Sequence, residues 1–126
     1  MFERMVYYIN GYDGLAPRCR GRWYVTEIKA DGNIIVEKYT GRKKVSTENC
    51  SVPVEDIREF YLELRECIET ANGIEHFYDD HDGRLIIYHP FGRSESMPKG
   101  LGHGINVVGY MVMHFAAKYS ELLKRW

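Results

Sequence analysis

The sequence predicts an α+β fold: a single two-layer domain spanning residues 1–126, an antiparallel sheet of hairpins with two helices on it. Three observations carry this expectation. Short β-branched and aromatic runs separated by Gly-bearing turns fill the first fifty residues and recur after residue 73. Two long stretches hold apolar residues at helical spacing. The resulting order, ββ(β)-α-ββ-α, lacks the regular βαβ alternation of a parallel nucleotide-binding sheet. Size and composition agree. A chain of 126 residues with 44% apolar and 13% aromatic residues is neither disordered nor fibrous. It can bury about two-thirds of its unfolded surface without metal or disulfide staples.

Met5–Asn10 reads as a short strand ending at Asn10-Gly11. The stretch from Gly11 to Gly21, with three glycines and Pro17, reads as a loop. Arg22–Lys29 and Asn33–Thr40 flank Asp31-Gly32, the strongest hairpin signal of the first half, because Asp-Gly tolerates a type I′ turn. A two-residue turn there pairs Tyr24 with Tyr39 and Ile28 with Ile35. Two burial patterns follow from that register. In one, Tyr24, Tyr39, Ile28 and Ile35 face the core. In the favoured one, Trp23, Val25, Ile34 and Val36 do, and the tyrosines form an outward binding surface. A third strand is expected near Val45–Ser51.

Val54–Asn72 is the clearest helix. Ile57, Phe60, Tyr61, Leu64, Ile68 and Ala71 make one apolar stripe, and Glu55, Glu59, Glu63 and Glu66 line the opposite side. Pro53 suits the helix start, and Asn72-Gly73 its stop. A second hairpin is expected from Ile74–Asp80 and Arg84–Pro90 around Asp82-Gly83, then a long loop over Phe91–Gly104. Ile105–Trp126 reads as the closing helix, with Val108, Met111, Val112, Phe115, Tyr119, Leu122 and Trp126 as its core stripe. The additional apolar residues Val107, Tyr110 and Met113 imply cover by the preceding loop or by a second subunit in a homodimer.

Net charge is −1 but unevenly distributed: +3 over residues 1–50, −8 over 51–83 and +4 over 84–126. A generic nucleic-acid binder is basic overall, which this chain is not, so only a local basic surface fits that reading. The most apolar stretch, 105–117, is shorter than the roughly 20 residues a membrane span needs. No signal-peptide pattern opens the chain. Three widely spaced cysteines, Cys19, Cys50 and Cys67, suggest neither a zinc site nor a redox pair, and a cytoplasmic setting is the expectation.

Five groups carry chemistry. In the expected second hairpin His76 faces His89, with Asp80 on the same face, an arrangement for acid–base or hydrolytic work. Asp79-Asp80-His81-Asp82-Gly83 echoes a calcium loop without its closing Glu. Gly100-Leu101-Gly102-His103-Gly104 precedes a helix but lacks phosphate-loop spacing. Arg18, Arg20 and Arg22 alternate toward Tyr24, and the same register sets Arg20 against Lys43. With Tyr24 and Tyr39 these form a strip suited to stacking and phosphate contact. The acidic helix face suits a basic partner. No motif calls for a cofactor or metal, and no hydrolase, kinase or P-loop signature occurs. The reading that follows is a small non-catalytic binding module, an inhibitor or immunity-type protein acting on a macromolecular, most readily protein, partner. A His76/His89 hydrolase and a nucleic-acid binder using the Arg/Lys/Tyr strip are the alternatives.

Overall fold

The computed structural model describes residues 1–9, 22–71, 75–76, 83–97 and 105–124. It shows the expected α+β class and element order: one six-stranded antiparallel sheet with three helices. The strands are β1 (Arg4–Ile9), β2 (Arg22–Lys29), β3 (Asn33–Thr40), β4 (Lys43–Ser51), β6 (Gly83–Tyr88) and β7 (Ser94–Met97), in spatial order β4-β3-β2-β1-β6-β7. A two-stranded ribbon joins β5 (Glu75–His76) to β8 (Ile105–Asn106). The helices are α1 (Val54–Ala71), α2 (Val107–Ala117) and α3 (Glu121–Lys124). No described helix is long and apolar enough to cross a membrane.

The short N-terminal run becomes a central strand. Met5, Tyr7 and Ile9 of β1, Tyr24, Thr26 and Ile28 of β2, Ile34 and Val36 of β3, and Leu85 and Ile87 of β6 are all buried on one face. On that face α1 lays Ile57, Phe60, Leu64 and Ile68, the stripe expected from its spacing. Glu55 and Asp56 in its first turn suit the positive end of the helix dipole.

The first hairpin differs from expectation by one residue. The turn is three residues long: Gly32 N–H bonds the Lys29 carbonyl at 3.1 Å, and Gly32 takes a φ of +102°. Such a turn, ended by a left-handed Gly, competes with the two-residue type I′ turn. It pairs Ile28 with Ile34 and Trp23 with Tyr39. One residue of slip moves one strand's side chains across the sheet relative to the other's. Tyr24 therefore joins Ile34 and Val36 in the core, while Trp23, Val25, Ile35 and Tyr39 share the outer face. Neither burial pattern read from the two-residue turn survives. Gly32 is also pressed against β4's exit: its carbonyl accepts from Val52 N–H at 2.7 Å, and a Cβ on it would lie 2.4 Å from the Val52 carbonyl oxygen. Gly32→Ala is expected to lower stability by about 1–3 kcal/mol, combining left-handed strain with that clash; chemical denaturation measures it, and a loss under about 0.5 kcal/mol would contradict this geometry.

The second half is re-paired as well. Gly83 is not a turn residue but the first residue of β6, opposite Ile9. The hairpin partner of β6 is β7, which lies within the stretch expected to be loop. The intended closing helix is interrupted. β8 occupies its first two positions, and after Ala117 the amides of Lys118 and Tyr119 reach back only three residues. Buried Ser120 then starts α3, its Oγ accepting from Leu123 N–H at 3.2 Å. Glu48 of β4 holds that junction, accepting from the Ser120 hydroxyl and from Glu121 N–H at 3.1 Å. The stripe residues Val108, Val112 and Phe115 are buried, but so is Met113, whose sulfur meets Thr26 Oγ1 at 3.9 Å. Met113 is thus sheet-facing and not part of an outward patch with Tyr110; the Val107 side chain lies outside the described residues. Tyr110 is half-buried.

Candidate functional site

The residues proposed for binding are dispersed. Tyr24 is 3% exposed, opposite Lys38 on the core face. Tyr39 is on the other face, stacked on Trp23 with centroids 4.0 Å apart, while the Trp23 indole donates to the Gly41 carbonyl at 2.6 Å. Arg22 and Lys43 are exposed and both lie opposite Thr40, on its two sides. Arg18 and Arg20 lie outside the described residues. So do Asp79–Asp82 of the acidic turn and Gly100–Gly104.

The backbone register does not set His76 opposite His89. His76 lies opposite Ile105 in the ribbon, whereas His89 follows β6, opening the turn to β7. Asp80 is outside the described residues. His89 instead joins a cluster that spacing does not reveal. Its Nε2 lies 2.5 Å from Glu95 Oε2, and Arg65 Nη1 of α1 lies 2.6 Å from the same oxygen. Burial alone would raise the Glu95 carboxyl, but bonds from Arg65 and His89 outweigh it and hold its pKa below the ordinary value. Such a carboxylate is a poor proton acceptor. It works as a clasp tying edge strand β7 to α1.

The outer sheet face is aromatic and basic, and three of its cations are engaged. Arg4 bonds Glu27 at 2.7 Å and lies 4.0 Å over the Tyr88 ring. Lys44 bonds Glu37 at 3.0 Å, and Arg84 bonds Ser96 Oγ at 2.7 Å. A phosphate-binding face needs cations available to the ligand; these would have to leave carboxylate or hydroxyl partners first.

A concave site lies elsewhere, an open groove of about 520 Å³ between α1 and α2. Its floor is apolar: Phe60 and Phe115 stack at 4.2 Å and 11°, and Met111 extends them. Tyr119 sits edge-on to Phe115 at 5.5 Å and donates its hydroxyl to Asp56 Oδ2 at 3.2 Å. Burial, together with that bond, raises the Tyr119 pKa, so it stays a phenol and a donor. The α1 lip carries Asp56, Glu59 and Glu63; the opposite lip carries exposed His114 of α2 and Lys118 just after it. The acidic side chains fall at i, i+3 and i+7 of α1, so they line one flank of the helix rather than its outermost surface. No ion pair crosses the groove among the described residues. Like charges at these spacings cost a few tenths of a kcal/mol per pair, a repulsion that a bound cation relieves.

Part of this was visible in the sequence. Glu59 and Glu63 belong to the acidic face read there, and Phe60 and Phe115 to the two stripes. That the stripes meet along a groove depends on how α1 crosses α2, which spacing does not encode. No group of three or more His, Cys, Asp or Glu side chains suited to a metal occurs among the described residues. Comparison with known proteins leaves the class as an α+β two-layer protein: no family model matches the chain, and neither a curated protein nor a solved structure matches it significantly.

Proposed function

We propose that this chain is a non-catalytic binding module, of the inhibitor or immunity kind, whose α1–α2 groove receives a basic segment with an apolar tip from a macromolecular partner. The observation that carries the reading is the pairing of a stacked aromatic floor with a carboxylate lip that has no cation bonded to it within the groove. The floor supplies desolvation, and aromatic faces also attract guanidinium and ammonium groups. The lip supplies a field that speeds encounter with a basic partner and rejects an acidic one. The acidic balance of residues 51–83 places α1 in the most negative part of the chain. The hydrolase alternative lacks the backbone register of His76 opposite His89 that motivated it, and the nucleic-acid alternative faces an outer surface on which Arg4, Lys44 and Arg84 are already bonded.

The test is a titration with short synthetic peptides, one carrying Phe and Arg two residues apart and one with Glu in place of Arg. The basic peptide is expected to bind, more weakly at about 0.5 M salt, where the Debye length falls to a few ångströms. The acidic peptide is expected not to bind. Glu59→Lys with Glu63→Lys is expected to weaken the basic peptide at least tenfold, about 1.4 kcal/mol, with thermal stability unchanged. Equal affinity for both peptides, or for wild type and variant, would remove this reading.

A further inference from the structure

Phe91 has an unusual position. It is 100% exposed, the largest value among the exposed apolar side chains of the described fold. It occupies the turn Pro90–Gly92 between β6 and β7 with φ 65° and ψ 30°, the left-handed region. Among described residues it is the only non-glycine with positive φ. A bulky L-residue is strained there, where Gly or Asn would not be. The turn itself does not need the ring: it is closed by His89 N–H bonding the Arg93 carbonyl at 2.8 Å and by the ladder from Tyr88–Ser94 onward. Strain and full hydration are thus both accepted in order to hold an aromatic ring out in water, the pattern of an anchor residue. Arg93, two residues on, is exposed as well.

The same molecule carries a surface complementary to this tip. The groove floor is Phe60, Phe115 and Met111, its α1 lip is Asp56, Glu59 and Glu63, and its volume lies in the range that accepts a side-chain cluster. We infer that the Pro90–Arg93 turn of one copy docks in the α1–α2 groove of a second copy, with Phe91 on the aromatic floor and Arg93 at the carboxylate lip. This goes beyond the proposed function, because the occupant is the chain itself and its docking hides the groove from any other partner. It shares with that reading only the capacity of the groove to take a basic, apolar-tipped segment. The contact joins unlike surfaces. Two copies close it reciprocally around a two-fold axis, or successive copies extend it. Lys118 on the far lip repels Arg93 and so sets which way the turn enters.

Sedimentation velocity on the full chain tests the inference, from about 5 µM to about 500 µM at two salt concentrations. The mean mass is expected to rise above 14.8 kDa with concentration, more so at low salt. Phe91→Ala, and separately Glu59→Lys with Glu63→Lys, are each expected to weaken association at least tenfold. Mixing Arg93→Glu with the double-lysine variant is expected to restore it. Phe91→Asn serves as the folding control: its melting midpoint is expected at or above that of wild type while association is lost. A wild-type mass of 14.8 kDa at every concentration, or association indifferent to Phe91→Ala, overturns self-docking. If the basic peptide still binds that monomer, the groove reading stands alone; if the peptide fails too, both fall.

Discussion

Gly109→Ala is expected to destabilise the protein by about 3 kcal/mol or more, although the same change inside an ordinary exposed helix stabilises by about 1 kcal/mol. The reason is Tyr7. Its side chain is 1% exposed in the central strand, in a slot between Gly83 of β6 and Gly109 of α2. A Cβ on Gly109 would lie 2.2 Å from the Tyr7 ring, and one on Gly83 would lie 2.2 Å from its hydroxyl oxygen. The ring is held among β-sheet and helix backbone and cannot swing aside, so the overlap outweighs the gain in helix propensity. Burial pushes the Tyr7 phenol far above its ordinary pKa, consistent with a ring shut away from water. Urea denaturation measures the effect. Tyr7→Leu in the Gly109→Ala background is expected to recover part of the loss, since the shorter side chain vacates the overlap. A neutral or stabilising Gly109→Ala would show that α2 does not press on Tyr7.

The second large effect is at the α2–α3 junction. Glu48→Ala is expected to cost about 1–3 kcal/mol, because it strips an acceptor from the buried Ser120 hydroxyl and from the Glu121 and Leu122 amides. The same site predicts an acid response. Burial would raise the Glu48 carboxyl, but the Ser120 hydroxyl and the Leu122 and Glu121 amides outweigh it and hold its pKa below 4.5. A carboxylate depressed in the folded state stabilises fully above its unfolded pKa. That contribution disappears as pH falls from about 4.5 through the lower folded value. Glu95, depressed by Arg65 and His89, has the same sign. Stability followed from pH 7 to pH 2 is therefore expected to fall most steeply below about 4.5. Glu48→Gln is expected to flatten that fall; an unchanged slope would show that the carboxylate does not hold the junction in solution.

Both expectations rest on contacts between elements distant in sequence, and this is where sequence reading stops. The α+β class, the order of elements and the buried stripe of α1 were legible in the chain alone. Each follows from local periodicity or a local turn preference, and these act within a few residues. The acidic side of α1 was legible for the same reason. The first hairpin shows the limit. Asp31-Gly32 announces a turn, but a two-residue and a three-residue turn differ by so little locally that packing decides between them. Packing chose the register that buries Tyr24 beside Ile34 and Val36 and leaves Trp23 stacked on Tyr39.

The central place of β1, the pairing of β6 with β7 rather than with the 74–80 segment, and the break at Ser120 were likewise decided by tertiary structure. Backbone pairing is indifferent to sequence distance, so a strand takes the partner that buries the larger apolar face. Ser120 breaks an otherwise helical stripe because Glu48, seventy-two positions earlier, waits there as an acceptor. The candidate site divides in the same way. Glu59, Glu63, Phe60 and Phe115 were placed on their helices by spacing; Asp56 and Tyr119 were brought to the site by the tertiary structure. Only the crossing of α1 and α2 brings Phe60 onto Phe115, and only that crossing turns a charged helix face into one wall of a groove.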